Sequence, residues 1–192
     1  MSRNAPSREQ PYLHTARLRL RPPTLQDVEV MHALFADPEV MRGLHRTPAS
    51  ELDETRALIQ AGADSWRADG LGPFILETIP EGRMVGQAGL MIFDRRTWAP
   101  SSWAGAGGDA QAELGWALLP EHWGVGYATE AAAAIRDWTY ESRQIDVLVS
   151  LIAPGNVRSE RVAQRLGATP TETVTPAHTT LQATVWRHTR VG

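Results

Sequence analysis

The segment AELGWALLPEHWGVGYATEAAAA, Ala112 to Ala134, decides how the rest of the chain is read. It opens as a strand-like apolar run from Ala112 to Leu119 and turns at Pro120-Glu121. A Gly-x-Gly loop at Gly124 and Gly126 follows, and then an alanine-rich helix. Ala128, Ala131, Ile135 and Trp138 recur at spacings of three and four, so one stripe of that helix faces a sheet. The loop delivers backbone N–H groups to the first helical turn, where about four amides lack a partner in the helix and the dipole favours an anion. Glycine at 124 and 126 removes the Cβ atoms that would keep a phosphate off the backbone. The pattern is that of a phosphate cradle, set against the plainer reading of a tight turn with no ligand.

Two other phosphate loops fit poorly. A P-loop ends in Gly-Lys-Ser/Thr, and no lysine follows here. A dinucleotide fold wants a third small residue where Thr129 stands, and an acid near the end of the next strand, whereas Asp146 lies near a strand start.

Downstream, Ile145–Ile152 (IDVLVSLI) reads as a buried strand. Pro154-Gly155 then turns into NVRSERVAQRLG, Asn156 to Gly167, with Asn156 as N-cap and Gly167 as the C-terminal stop. Val162, Ala163 and Leu166 form the inner stripe, with Arg158, Arg161 and Arg165 on the other side. Here the chain resembles the GNAT superfamily of acetyl-CoA-dependent N-acetyltransferases, and most of all its branch of Rim-type ribosomal-protein N-terminal acetyltransferases. The family's pyrophosphate loop, Gln/Arg-x-x-Gly-x-Gly/Ala, is matched by Trp123-Gly124-Val125-Gly126-Tyr127-Ala128, with Trp123 in the Gln/Arg position. That departure leaves the cradle more dependent on backbone amides. The family's later Asn-x-x-Ser-x-x-x-Ala-x-x-Leu-Gly is matched throughout from Asn156 to Gly167. The opening is similar too, in Thr15–Arg21 (TARLRLR) and Phe35–Met41 (FADPEVM), so the resemblance spans residues 13–188.

Composition bounds the rest. The chain has 192 residues, enough for one sizeable core, with 42% hydrophobic and 21% charged residues. A net charge of −3 gives no electrostatic case for nucleic acid or an acidic membrane as partner. No apolar run approaches the ~20 residues of a membrane span, and the N-terminus lacks a signal-peptide core, so a cytoplasmic protein is expected by default. With no cysteine, a disulfide framework, a thiolate zinc site and a cysteinyl acyl-enzyme are all excluded. Acyl transfer from a thioester then goes directly to the acceptor, or through a weaker nucleophile such as serine.

Along the chain, Met1–Pro11 is polar and reads as a disordered leader, leaving residues 12–192 as one domain. Arg17–Arg21 alternates as a strand with one wet face. Thr24 caps a helix with Asp27 in the capping-box position, and Ser50 starts a second helix whose first turn holds Glu51, Asp53 and Glu54. Phe74–Ile79 and Met84–Phe93 form a hairpin around Pro80-Glu81-Gly82, and Gly86 and Gly89 suggest a bulge or a close approach. Asp94–Gln111 is rich in Gly, Ser and Ala around Trp98 and Trp103, and reads either as a lid or as a surface loop pinned by tryptophan. Thr169–Thr173 and Leu181–His188 form a closing pair of strands. His32 and His45 have no partner at ligand spacing and His178 and His188 carry no motif, so no metal is expected.

The element order predicts an α+β (mixed α/β) fold, a mostly antiparallel sheet of about seven strands flanked by about four helices. The resemblance implies the same GNAT-like fold, with central strands that splay so that pantetheine enters the gap and pairs with Trp116–Leu119. On the same basis the residues that hold acetyl-CoA are Trp116, Leu118, Leu119, Trp123, Gly124, Val125, Gly126, Tyr127, Ala128, Thr129 and Asn156.

Acetyl transfer to an amine needs a deprotonated nucleophile, a polarised carbonyl and a stabilised thiolate. A lysine of pKa about 10.4 costs roughly 4.6 kcal/mol to neutralise at pH 7, an α-amine of about 8 only roughly 1.4. Glu113 shares its strand face with Gly115 and Ala117, which leave space above the sheet, and is the candidate base; the alternative is an ordinary pair with Arg17 or Arg19. In the related enzymes a glutamate at this position is implicated in deprotonating the amine. Ser159, one turn after Asn156, is the candidate donor to the departing sulfur, or else caps the first turn. Tyr127 and His122 are the further candidates for proton transfer. The expected activity is direct acetyl transfer to a peptide N-terminus or a small-molecule amine, in a monomer or homodimer. The other reading is a non-catalytic acyl-CoA sensor on the same fold, which would bind acetyl-CoA and transfer nothing.

Overall fold

The computed structural model describes residues 11–44, 46–177 and 179–190. The leader expected over Met1–Pro11 therefore lies, but for Pro11, outside the described residues, as do His45 and His178. The chain begins with β1 (Leu13–His14), β2 (Leu18–Arg21), α1 (Val28–Phe35), α2 (Pro38–Gly43) and α3 (Leu52–Asp69). β3 (Pro73–Thr78), β4 (Met84–Asp94), β5 (Ala99–Ser101), α4 (Trp103–Ala106) and β6 (Ala110–Leu118) follow. The last third holds α5 (Tyr127–Ser142), β7 (Val147–Ile152), α6 (Val157–Arg165), β8 (Thr169–Val174) and β9 (Ala183–Thr189). The two strands and two helices beyond the sequence expectation are β1, β5, α2 and α4, of 2, 3, 6 and 4 residues, too short to display a period.

The strands form one sheet in the order β1-β2-β3-β4-β6-β7-β9-β8, with β5 paired to β4 beside that path. Every pairing is antiparallel except β6 with β7. β6 runs against β4 without a register shift from Gly86↔Leu118 to Asp94↔Ala110, and β7 runs against β9 from Val147↔Thr189 to Ile152↔Thr184. Between these two well-paired blocks, β6 and β7 meet at a single register pair, Glu113↔Val149, and then diverge. The fold is the mixed, mostly antiparallel sheet that the element order predicts, with the splay at its centre.

The unbroken β4–β6 register keeps the two faces of β6 distinct. Ala112 and Leu114 pack into the core shared with Ala131 and Ile135 of α5, as the helix stripe predicts, and with Ala132, which lies outside that stripe; Ala128 and Trp138 of the stripe pack at the edge of this core and are only half-buried. Ala117 packs on the opposite face, with Val28, Met31, Phe35 and Met41 of α1 and α2. Glu113 belongs to that second face.

The Thr24–Asp27 capping box is present, although it heads a 3₁₀ turn (Leu25–Asp27) that leads into α1. α3 begins two residues later than expected, because the Ser50 N–H and hydroxyl both bind the Glu54 carboxylate and leave Glu51 as N-cap. The segment after β4 is pinned down. Trp98 is buried against Phe93, Val149 and Val185, the Trp103 N–H donates to Asp69 at 2.9 Å, and the Ala177 N–H donates to Thr97.

Gly89 marks the close approach that the sequence suggests: a Cβ there would stand 2.4 Å from Pro73 Cα and 2.5 Å from the Gly72 carbonyl oxygen. Backbone on both sides leaves no flexible group to give way. Gly89→Ala is expected to cost about 1–3 kcal/mol in urea unfolding, as overpacked sites do. Gly108→Ala, where a Cβ meets nothing within 4 Å, serves as control and stays within about 0.5 kcal/mol of the parent.

Candidate active site

β6 ends at Leu118, and a short 3₁₀ turn (Pro120–His122) carries the chain into Trp123–Gly126 and α5. The Trp123 indole N–H donates to the Leu118 carbonyl at 2.7 Å, folding the loop back on the strand it leaves. Gly124 and Gly126 have φ of +78° and +93°, in the region where only glycine is unstrained. Gly126 is the N-cap of α5 and offers no side-chain cap, so the amides of the first turn are left to an external acceptor. A Cβ on Gly124 would meet nothing within 4 Å, which is the open approach a phosphate needs.

A residue from the other end of the chain steadies this loop. Arg17 grips the Glu130 carboxylate through Nε and Nη2 at 2.7 and 2.6 Å, donates through Nη1 to the Val125 carbonyl at 3.0 Å, and lies over the Tyr127 ring. Burial pushes the Glu130 carboxyl up, but hydrogen bonds from Thr15 and Arg17 and the guanidinium charge outweigh it, and the group sits below its ordinary range. Arg17 thus ties the loop, at Val125, to the first turn of α5, at Tyr127 and Glu130.

The loop forms one wall of a cleft of about 1000 Å³. Trp116, Leu118, Trp123, Gly124, Gly126, Tyr127, Ala128, Thr129, Asn156 and Ser159 line it, together with His122. Leu119 and Val125 do not: Leu119 packs with the α1–α2 cluster, and Val125 turns its side chain outward while its carbonyl faces Arg17. The opposite wall is α6. Asn156 caps it, its Oδ1 accepting from the Ser159 N–H at 3.2 Å, while the Ser159 side chain lines the cleft. Arg158, Arg161 and Arg165 also line this wall. Arg158 lies 3.9 Å over the Trp123 ring and binds Glu39 of α2 at 2.7 Å, whereas Arg161 and Arg165 have no carboxylate partner among the described residues. α2 closes the third side with Glu39, Arg42, Gly43 and Leu44.

Glu113 stands apart from the cleft walls, at the crotch of the fork. Its Oε1 accepts from the Leu151 N–H at 3.4 Å. The arginines weighed as its partners are engaged elsewhere, Arg17 with Glu130 and Arg19 with Glu77. Burial of the carboxyl raises its pKa from 4.5 to about 7, against the opposing pull of the Leu151 N–H and the positive charge of Arg46. A carboxyl poised near neutrality in a strand gap has the protonation equilibrium that a base for amine chemistry requires.

Sequence reasoning placed the loop, Asn156, Ser159 and Glu113 together, and the structure gathers them around the fork. It missed three contributors. Arg17 pairs with a residue 113 positions away, and α2 enters the cleft from a motif with no ligand signature. The α6 arginines recur at spacings of three and four, which puts them on the side away from the core; that side is the cleft wall.

The sequence pattern described as acetyltransferase (GNAT) domain matches residues 17–169. The chain belongs to this family and is an N-acetyltransferase. The protein YkkB of Bacillus subtilis (strain 168) is 30% identical over 163 residues, 84% of this chain and 87% of that one. A crystal structure of an acetyltransferase from Agrobacterium tumefaciens str. C58 is 29% identical, covers 98% of this chain and 100% of its own, and superposes with a TM-score of 0.76. RimL, the ribosomal L7/L12 alpha-N-protein acetyltransferase, shares the fold with a TM-score of 0.73 at 15% identity, over 94% of this chain and 95% of its own.

The raised pKa of Glu113 has a stability consequence with a definite sign. Between pH 4.5 and about 7 the folded protein holds a proton that the unfolded chain has released, so this group's contribution to stability falls as pH rises across that window. Glu113→Gln is therefore expected to raise the urea midpoint at pH 8, with the gain shrinking to nothing by pH 4.5. An equal difference at both pH values would place the carboxyl in solvent.

Proposed function

We propose that this N-acetyltransferase uses acetyl-CoA and moves the acetyl group directly to a primary amine, of a protein N-terminus or a small molecule, in a ternary complex. The observation that carries the reading is the fork itself. It opens between a phosphate-sized cradle on one side and an arginine-lined helix wall on the other, with a near-neutral carboxylate at its crotch. Acetyl-CoA supplies the activated acyl group; the rest is done by this chain's residues.

The first-turn amides of α5 and the Gly124–Gly126 backbone suit the pyrophosphate, and Arg161 and Arg165 are free to meet further phosphate charge. Trp116 offers the strand edge beside the gap, the Leu118 carbonyl being taken by the Trp123 indole and the Leu119 N–H by the Val85 carbonyl, and Asn156 stands at the opposite lip. Glu113 takes the proton that the amine loses as the new N–C bond forms, directly or through water. The C–S bond breaks, and the sulfur leaves toward Ser159, whose hydroxyl donates to the developing thiolate at the start of α6. Among acceptors, an α-amine asks least of Glu113, because part of it is already neutral at pH 7. That requirement, together with the Thr15–Arg21 and Phe35–Met41 motifs, supports placing the chain in the Rim-type branch.

The base is tested by the pH dependence of kcat/KM. The parent's rate is expected to climb through pH of about 7, where Glu113 ionises, and then level. Glu113→Gln should abolish that limb and lower the rate by about 10²–10⁴-fold for a lysine-like acceptor, since a general base typically contributes that much. For an α-amine the deficit should be smaller and close as pH rises toward 9. A variant with the parent's profile at every pH removes Glu113 from the reaction and passes the proton path to His122 or water.

Ser159→Ala is expected to lower kcat by about ten- to a hundredfold with little change in KM for acetyl-CoA, as for loss of one donor to transition-state charge. Both constants unchanged would leave Ser159 as a structural residue of the first turn.

A further inference from the structure

The fork poses a hydrogen-bonding problem that two side chains solve. Continuing the parallel ladder past Glu113↔Val149 would join the Leu151 N–H to the Leu114 carbonyl. Each of those groups is instead met by a side chain. The Leu151 N–H donates to Glu113 from one face of the sheet, and the Leu114 carbonyl accepts from the Ser150 hydroxyl at 2.6 Å from the other. Ser150 is 2% exposed, and its Oγ lies 2.9 Å from Nε2 of His188 on β9, which is 1% exposed.

The proton positions follow from valence. A carbonyl only accepts, so the single hydroxyl hydrogen of Ser150 is spent on Leu114 and Oγ must accept from His188. His188 therefore carries its hydrogen on Nε2, and its Nδ1 has no partner among the described residues. Burial, and then the positive charge of Arg136 on α5, push the His188 pKa down to about 4, so the ring is neutral at pH 7.

We propose that Ser150 and His188 are positioning residues that hold the fork open, by occupying the one carbonyl onto which Leu151 would otherwise close. The inference rests on the acetyltransferase reading for its purpose, since the gap they keep is the one that pantetheine needs. Without the Ser150 hydroxyl, the Leu114 carbonyl is a buried acceptor with no donor, and a buried unpaired group seeks the nearest one. That donor is the Leu151 N–H. The rung then closes, the gap narrows, and Glu113 loses the hydrogen bond that was holding its pKa down.

The test reads two quantities in the parent, Ser150→Ala, His188→Leu and His188→Gln. The first is the titration midpoint of Glu113 by ¹³C NMR of labelled glutamate, assigned with Glu113→Gln. The second is CoA affinity by calorimetry. Ser150→Ala is expected to raise the Glu113 midpoint by about half a pH unit or more, because its donor is withdrawn. It should also weaken CoA by about tenfold, the scale of one lost buried hydrogen bond. His188→Leu should shift both in the same direction and decides the matter should Ser150→Ala fail to fold. His188→Gln, whose amide reaches the Nε2 position, should restore both to within about twofold of the parent. A folded Ser150→Ala or His188→Leu with reduced melting temperature but the parent's Glu113 midpoint overturns the proposal and makes the pair merely structural. A parent that binds no CoA sinks the acetyl-CoA reading instead, while the Glu113 titration, which needs no ligand, still decides the fork.

Discussion

The divergence of β6 from β7 after one register pair is the constraint on which the rest of the molecule depends. Each strand is zipped to a partner on its far side, β6 to β4 and β7 to β9, so the sheet stays intact on both flanks of the opening. The separation exposes main-chain groups that a buried sheet would pair, and such groups must find partners or be left for a ligand. Near the crotch Glu113 and Ser150 supply them. Farther out, no strand among the described residues pairs with that edge at Trp116, and a bound extended chain can take the place of one as far as Leu118, whose carbonyl accepts from the Trp123 indole.

The same opening gathers the groups to which the proposed chemistry is assigned. A helix N-terminus stands on either side of it: α5 begins at the glycine loop and α6 at Asn156. Their dipoles point positive charge into one cleft, and Arg161 and Arg165, without a carboxylate partner among the described residues, extend that charge along a wall. Glu113 lies at the closed end, in an environment that disfavours its ionised form. Its burial therefore lowers stability above neutral pH while giving it a proton affinity suited to an amine. Strain of this kind is tolerated where function requires it.

Much of this was legible in the sequence for local reasons. The cradle is a contiguous loop whose glycines are dictated by backbone conformation, and the Asn156 cap and Gly167 stop are equally local. The alanine stripe of α5 announces close packing by its period. The splay is different: Ile145–Ile152 reads as a uniform apolar strand, and only the likeness to a known family suggested that it parts from its neighbour. Ser150 is the one polar residue of β7, yet its meaning depends on His188, 38 positions later, and on a register that periodicity does not encode. Arg17 and Glu130, and Arg158 with Glu39, likewise belong to pairings created by the fold. Trp98 and Trp103 left lid and anchor equally open until their partners were known.

The central claim is that the fork presents the thioester directly to an amine, with no acyl group ever resting on the protein. Initial velocities with ¹⁴C-acetyl-CoA and an acceptor, found from a panel of peptides, polyamines and aminoglycosides, test it most directly when both concentrations are varied. Double-reciprocal lines that intersect, with no label retained on the denatured protein, are the result this account predicts. Parallel lines with label bound to the chain, or tight acetyl-CoA binding with no transfer to any amine, would contradict it.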